Sequence, residues 1–201
     1  MSEQAPSIAN DYAKLRTLID PWNRLGSKRF PAGTLAIGHV PHVAPEAWLH
    51  LLMPPLDQDG LEVLQDQINR DFPSDLKRLM LLHNGMGMFS DLISIYGLRT
   101  SYQRSNMAAM QEMPFDMVRP NTLERPRNVP DDLIFFGSFD YALASVAIEP
   151  DGTISVWSKP RELLSRRVYR SLFDFLITEA VKANRRFDAS GRDSDYPSML
   201  H

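Results

Sequence analysis

The run from Leu61 to Leu98, LEVLQDQINRDFPSDLKRLMLLHNGMGMFSDLISIYGL, limits the possible folds of this chain more than any other stretch. Leu61, Leu64 and Ile68 fall on one helical face, with Glu62, Asp66 and Arg70 outward. Pro73 opens a second helix, as its first residue or just before a Ser74 cap. Leu76, Leu79, Met80 and His83 form the inner face of that helix, and Gly85 stands where a helix end wants positive φ. Asn84, just before it, tolerates the same geometry. Leu92 to Tyr96 then reads as a strand, β-branched and aromatic, stopped by Gly97.

The remaining segments are additions to this unit. Ile8, Tyr12, Leu15, Ile19 and Trp22 lie on one stripe of an N-terminal helix, capped by Ser7 or Asn10 and ended or bent by Pro21. Such a stripe docks on the main core or offers a dimer contact, and docking is preferred. Residues 23–47, rich in Gly and Pro, read as loop around a short apolar piece at 34–37. Trp48 to Met53 reads as a short apolar helix stopped by Pro54-Pro55.

Downstream, residues 99–130 lose periodicity, although methionines at 107, 110, 113 and 117 suggest a short helix packed by its sulfurs, with Met as adaptable core filler. Leu133 to Phe136 is a strand closed by Gly137. Ala144, Val146 and Ile148 alternate along another, which turns at Glu149 to Gly152 into Ile154 and Val156. That hairpin needs a helical layer over its apolar face. Ser171 opens a final helix with Asp174 in the capping-box position, and Phe173, Leu176, Ile177, Ala180 and Phe187 face the core. Three parts follow: an N-terminal extension at 1–53, a domain at 54–187 and a polar tail at 188–201, expected to fray.

Composition narrows the chemistry. The 201 residues contain no cysteine, which excludes disulfides, thiolate zinc sites and cysteine nucleophiles. No apolar run is long enough to span a bilayer, and MSEQAPSIAN has neither the basic nor the apolar region of a signal peptide, so a soluble, cytoplasmic protein is expected. The net charge of −3 singles out no partner, but residues 159–192 hold nine Lys or Arg against four Asp or Glu. A solvated helix face accounts for that imbalance.

No candidate catalytic set emerges. His39 and His42 sit in a loop with only Glu46 nearby, too few ligands for zinc, and no cofactor is expected. His83 lacks a nucleophile or carboxylate at recognisable spacing, and an imidazole against the last helix carbonyls is the simpler reading. Asp57, Asp59, Glu62 and Asp66 lack the order of a calcium loop and read as a solvated helix start. Gly85-Met86-Gly87 follows a helix and is no phosphate loop. Arg161, Arg166, Arg167, Tyr169 and Arg170 form a basic patch, but direct nucleic-acid binding is not expected at this net charge.

The central stretch resembles the SMI1/KNR4 family, also called the SUKH superfamily. The resemblance rests on Phe72-Pro73, Leu82-His83-Asn84-Gly85 and Leu92-Ile93-Ser94-Ile95-Tyr96-Gly97-Leu98, with Pro54-Pro55-Leu56 as lead-in. It continues through Gly137 to Asp140, Asp151-Gly152 into Val156-Trp157, and Ser171 to Leu176. Phe72 stands where the family usually has Leu, and neither the first fifty residues nor 99–130 has a counterpart.

The resemblance implies an α+β domain, a mixed and mainly antiparallel sheet with helices packed on it, and no catalytic residues. It further implies protein binding: many bacterial members are immunity proteins that neutralise a cognate toxin, often a nuclease, while fungal members are regulatory interaction proteins. Pro73, Asn84, Gly85, Tyr96, Gly97 and Trp157 are then structural motif residues. A nuclease partner would favour an acidic face, with Asp57, Asp59, Glu62, Asp66, Asp131, Asp132 and Asp140 as candidates. The alternatives are a regulatory scaffold without a toxin partner and, further off, a hydrolase or nucleic-acid enzyme built on His83. A monomer or weak dimer is expected.

Overall fold

The structure, a computed structural model, describes residues 8–101, 112–125, 127, 129–139, 144–158, 163–167, 169 and 171–194. Among them, nine strands form one sheet whose spatial order is the order of the chain. These are β1 (Ser27–Arg29), β2 (Leu35–His39), β3 (Trp48–Leu52), β4 (Met86–Met88), β5 (Ile93–Ile95), β6 (Ile134–Phe139), β7 (Ala144–Ile148), β8 (Ile154–Ser158) and β9 (Leu163–Arg167). Each neighbouring pair is antiparallel, so the sheet, expected to be mixed and mainly antiparallel, is antiparallel throughout the described strands and forms a meander. The helices are α1 (Ile8–Ile19), a 3-10 turn (Asp20–Leu25), α2 (Gln58–Ile68), α3 (Ser74–Leu82), α4 (Val118–Asn121) and α5 (Leu172–Asn184). The architecture is α+β.

Register explains why one face is covered. Leu52, Met86 and Ile95 stand opposite one another across β3, β4 and β5. His50, Met88, Ile93 and Phe139 form the next row across β3 to β6. These apolar rows join the main core together with Leu15 and Ile19 of α1, Leu61, Leu64 and Ile68 of α2, Leu76, Leu79 and Met80 of α3, and Phe173, Phe175, Leu176 and Ala180 of α5. Each such buried side chain contributes roughly 1.5–3 kcal/mol relative to exposure. The other face carries small residues in register, Gly87, Ser94, Ser138 and Ser145, next to Trp157. Trp157 belongs to a separate cluster with Val129, Leu133, Phe135 and Ala147.

Several sequence expectations give way. Trp48 to Met53, read as a short helix, is strand β3, because five residues between two antiparallel neighbours satisfy their backbone groups on both sides. The supposed loop at 23–47 contains the 3-10 turn, β1 and β2. Met86–Met88, read within a glycine turn, is β4. Gly137 does not close its strand but sits inside β6 at a register shift, where an added Cβ would lie 2.5 Å from the Ser94 carbonyl oxygen. Asn10 lies within α1 and not at its start, and Ser7 lies outside the described residues. Of the methionine series, 107 and 110 also lie outside; Met117 is fully buried just before α4.

Asp57, read only as part of a solvated helix start, is the cap of α2, its carboxylate accepting from Gly60 N at 2.8 Å. Other expectations hold. Ser171 caps α5, its hydroxyl accepting from Asp174 N at 3.0 Å, and Asp75 of α3 accepts from Leu172 N at 3.1 Å. One carboxylate therefore ties the two helices together. Pro73 precedes Ser74, the first residue of α3. The β7–β8 hairpin turns with Gly152 at φ 87°. Pro21 converts α1 into the 3-10 turn.

The described part of the tail is folded and not frayed. Asp188 accepts from Ser190 N, Ser190 Oγ and Arg192 N, all within 3.1 Å, and these hydrogen bonds hold its carboxyl below the usual carboxylate range. Arg186 pairs with Asp193 through two contacts, at 3.1 and 2.6 Å. Gly191, at φ 79°, packs where a Cβ would lie 2.7 Å from Val40.

Candidate partner-binding surface

The motif residues assemble a junction. Asn84 donates from Nδ2 to Leu98 O at 2.9 Å and accepts at Oδ1 from Leu98 N at 2.6 Å, so its amide completes the backbone pairing that β5 leaves open. Its own N–H donates to Pro54 O at 2.9 Å. An added Cβ at Gly97 would lie 2.4 Å from Asn84 Oδ1 and 2.6 Å from Asn84 O, which only glycine permits. Gly85, at φ 90°, would put a Cβ 2.7 Å from Pro114 and 2.8 Å from Ile95 O. The helix-stop reading of Gly85 was correct about φ but missed this close approach.

Those approaches seat the described part of the segment that follows. Glu112 accepts from Ala32 N at 2.7 Å, Gly97 N donates to Phe115 O at 2.9 Å, and Met117 N donates to Gly97 O at 3.0 Å. Buried Asn121 then pairs with Phe135, accepting from its N–H at 2.9 Å and donating to its carbonyl at 2.7 Å. Tyr96 lies beside Phe115, ring centroids 6.4 Å apart. This strap crosses the ends of the central strands, and its pairing partners are remote in sequence. Of the motif residues, Asn84, Gly85, Tyr96 and Gly97 all make contacts at this junction.

His83 is also committed. A carbonyl can only accept, so His83 Nδ1–H donates to Met53 O at 2.7 Å, leaving Nε2 as the acceptor for the Tyr12 hydroxyl at 2.6 Å. Arg16 Nη1 donates to Tyr12 Oη at 3.2 Å, and Arg16 Nε donates to Asp20 at 2.8 Å. Burial lowers the His83 pKa, outweighing the Met53 bond that raises it, and Arg16 lowers it further. The expected partners, carbonyls of its own helix end, are replaced by Met53 and the N-terminal helix.

The predicted acidic residues are only partly brought together. Asp57, Asp59, Glu62 and Asp66 are all exposed on the outer side of α2, where Glu62 accepts from Gln58 at 3.0 Å. Val63, 45% exposed, lies among them. Asp131 and Asp132 are exposed but stand beside cations: Arg70, expected to point outward, donates to the carbonyls of Asp131 and Asn121. Arg125 donates to the Leu133 and Pro130 carbonyls and feels both carboxylates. Arg70 and Arg125 therefore offset the charge of that second group. Asp140 lies outside the described residues.

Other candidates fall away. His39 bonds to Pro45 O at 2.9 Å and stacks on Trp48, and no metal-binding cluster of His, Asp or Glu occurs among the described residues. No helix among them is long and apolar enough to cross a membrane. Arg161 and Arg170 lie outside the described residues, Arg166 and Arg167 fall in β9, and Tyr169 packs on Phe175, ring centroids 5.2 Å apart.

An antiparallel meander, helices on its apolar face and a glycine–asparagine junction define an α+β scaffold. The chain belongs to the SMI1/KNR4 family (SUKH-1), whose sequence model matches residues 55–178. Among curated proteins none matches the chain. The match begins after β3 and ends within α5, so α1 and β1 to β3 lie before it.

Proposed function

We propose that this protein is a non-catalytic binding domain of the immunity type, acting in the cytoplasm as a monomer that neutralises a cognate toxin by direct contact. The observation that carries the reading is the outer side of α2, where Asp57, Asp59, Glu62 and Asp66 are all exposed. Fold stability requires little of these carboxylates beyond the Asp57 cap, and an exposed anionic helix complements the cationic groove of a nuclease. Family membership supports the same class, since protein binding is what the resemblance implies. His83 is engaged on both ring nitrogens, which argues against a role as general base.

The test is co-expression with the toxin encoded by a neighbouring reading frame. Protection by the wild-type chain is expected, and the combined change Asp59→Lys, Glu62→Lys and Asp66→Lys should weaken the complex by at least about tenfold, because opposed charges steer and hold such interfaces. Unchanged affinity would remove α2 as the contact, and Asp131 and Asp132 would be examined next.

A further inference from the structure

Two imidazoles lie in the field of one arginine. His83 Nε2 accepts a hydrogen bond from the Tyr12 hydroxyl, whose oxygen in turn accepts one from Arg16. His50, fully buried on the core side of β3, accepts at Nδ1 from Phe89 N at 3.4 Å, so its proton sits on Nε2, which has no hydrogen-bond partner among the described residues. The Phe89 bond requires a lone pair on His50, and the Tyr12 bond as it stands uses the lone pair of His83 Nε2. A protonated His83 would present N–H to the phenol oxygen that Arg16 already approaches, and a protonated His50 would set N–H against the Phe89 N–H.

The surrounding charges oppose protonation. Among the described residues, the titratable or charged groups acting on His83 are Tyr12 and Arg16 of α1, with Asp20 behind Arg16; on His50 it is again Arg16. No carboxylate acts directly on either ring among those residues. Burial and then Arg16 push His50 down to about 3, and both act in the same direction on His83. Any state that withdraws Arg16 and admits water to the rings binds protons more readily.

We propose that α1 is an acid-sensitive latch: protonation of His83 sets a second cation against Tyr12 and Arg16, the side chains through which it holds α1, and α1 leaves a sheet that stays folded. The sheet can remain because β4 to β8 are each paired on both sides by other strands and not by α1. This inference is independent of the proposed toxin contact on α2.

Amide hydrogen exchange, corrected for the intrinsic effect of pH, tests it at about pH 7.5 and about pH 4.5, on either side of the ordinary histidine range. Amides of α1 should lose at least about tenfold more protection than those of β6 and β7, since each unit of pKa difference is a factor of ten. Equal protection of α1 at both values, or its loss in step with the sheet, overturns the latch. His83→Gln, which hydrogen-bonds without titrating, should abolish most of the selective loss, and full retention of that loss counts against it. As a check that needs no variant, NMR titration of the wild-type imidazoles should place His83 protonation at the midpoint of α1 release. Protonation with α1 still docked refutes the proposal.

Discussion

The junction around Asn84 and the outer side of α2 are near neighbours in sequence and opposite in physical character. At the junction, both side-chain polar atoms and the N–H of Asn84 are hydrogen-bonded, and two glycines have backbone within 3 Å of where a Cβ would be. On α2, four carboxylates and Val63 face solvent. The comparison teaches that Asn84, Gly85 and Gly97 are held by close contacts, while the outer side of α2, where the proposed contact lies, carries residues with few structural contacts. A motif therefore locates the scaffold and leaves the contact to its neighbours.

The sharpest way to break this contrast is Gly97→Ala. Its Cβ would meet Asn84 Oδ1 at 2.4 Å and the Asn84 carbonyl at 2.6 Å, neither of which can withdraw without opening the junction. Urea unfolding should show a loss of about 3 kcal/mol or a chain that does not fold. A variant as stable as wild type would mean that the close approach is not a constraint.

Asn84→Ala comes next. It removes both side-chain bonds and strands the N–H and carbonyl of Leu98, a residue 9% exposed. A loss of about 2 kcal/mol is expected by denaturant titration. Less than about 0.5 kcal/mol would show that water replaces the amide.

The buried histidines give a graded effect. Their folded pKa values are depressed, so their contribution is fully present above the ordinary histidine value of 6.5 and is lost as pH falls from there towards about 3 for His50. Each group contributes a slope of up to about 1.4 kcal/mol per pH unit within its window. His50→Leu should flatten part of the stability profile below the ordinary histidine value, measured by urea midpoints across pH. An unchanged slope would place the acid sensitivity elsewhere.

The smallest expected effect is on α2. Asp59→Lys, Glu62→Lys and Asp66→Lys together should change stability by within about 1 kcal/mol, because exposed charges away from caps matter little. A loss as large as that of Asn84→Ala would erase the contrast between the two regions.

Local pattern made much of this fold legible. The inner faces of α2, α3 and α5, the Ser171 cap, the Pro73 start and the β7–β8 hairpin are all written in spacing and capping chemistry, which depend on residues a few positions apart. β3 was misread because WLHLL is apolar at four of five positions, and a short apolar run does not distinguish strand from helix until its neighbours are known. The candidate acidic site was half legible: the periodicity of one helix placed Asp59, Glu62 and Asp66 together over about two turns, whereas the proximity of Asp131 and Asp132 to Arg70 and Arg125 depends on a loop docking beside the end of α2.

By itself, then, the sequence determined the class, the central helices, the final hairpin and the family, because periodicity, caps and glycine positions are local consequences of backbone geometry. Only the tertiary structure decided that the sheet is a pure antiparallel meander. It also decided that Gly85 and Gly97 exist to admit Pro114 and Asn84, and that His83 belongs to the seat of the N-terminal helix. Each of those is a contact between segments distant along the chain. Its energy lies in burial and hydrogen bonding that no local pattern records.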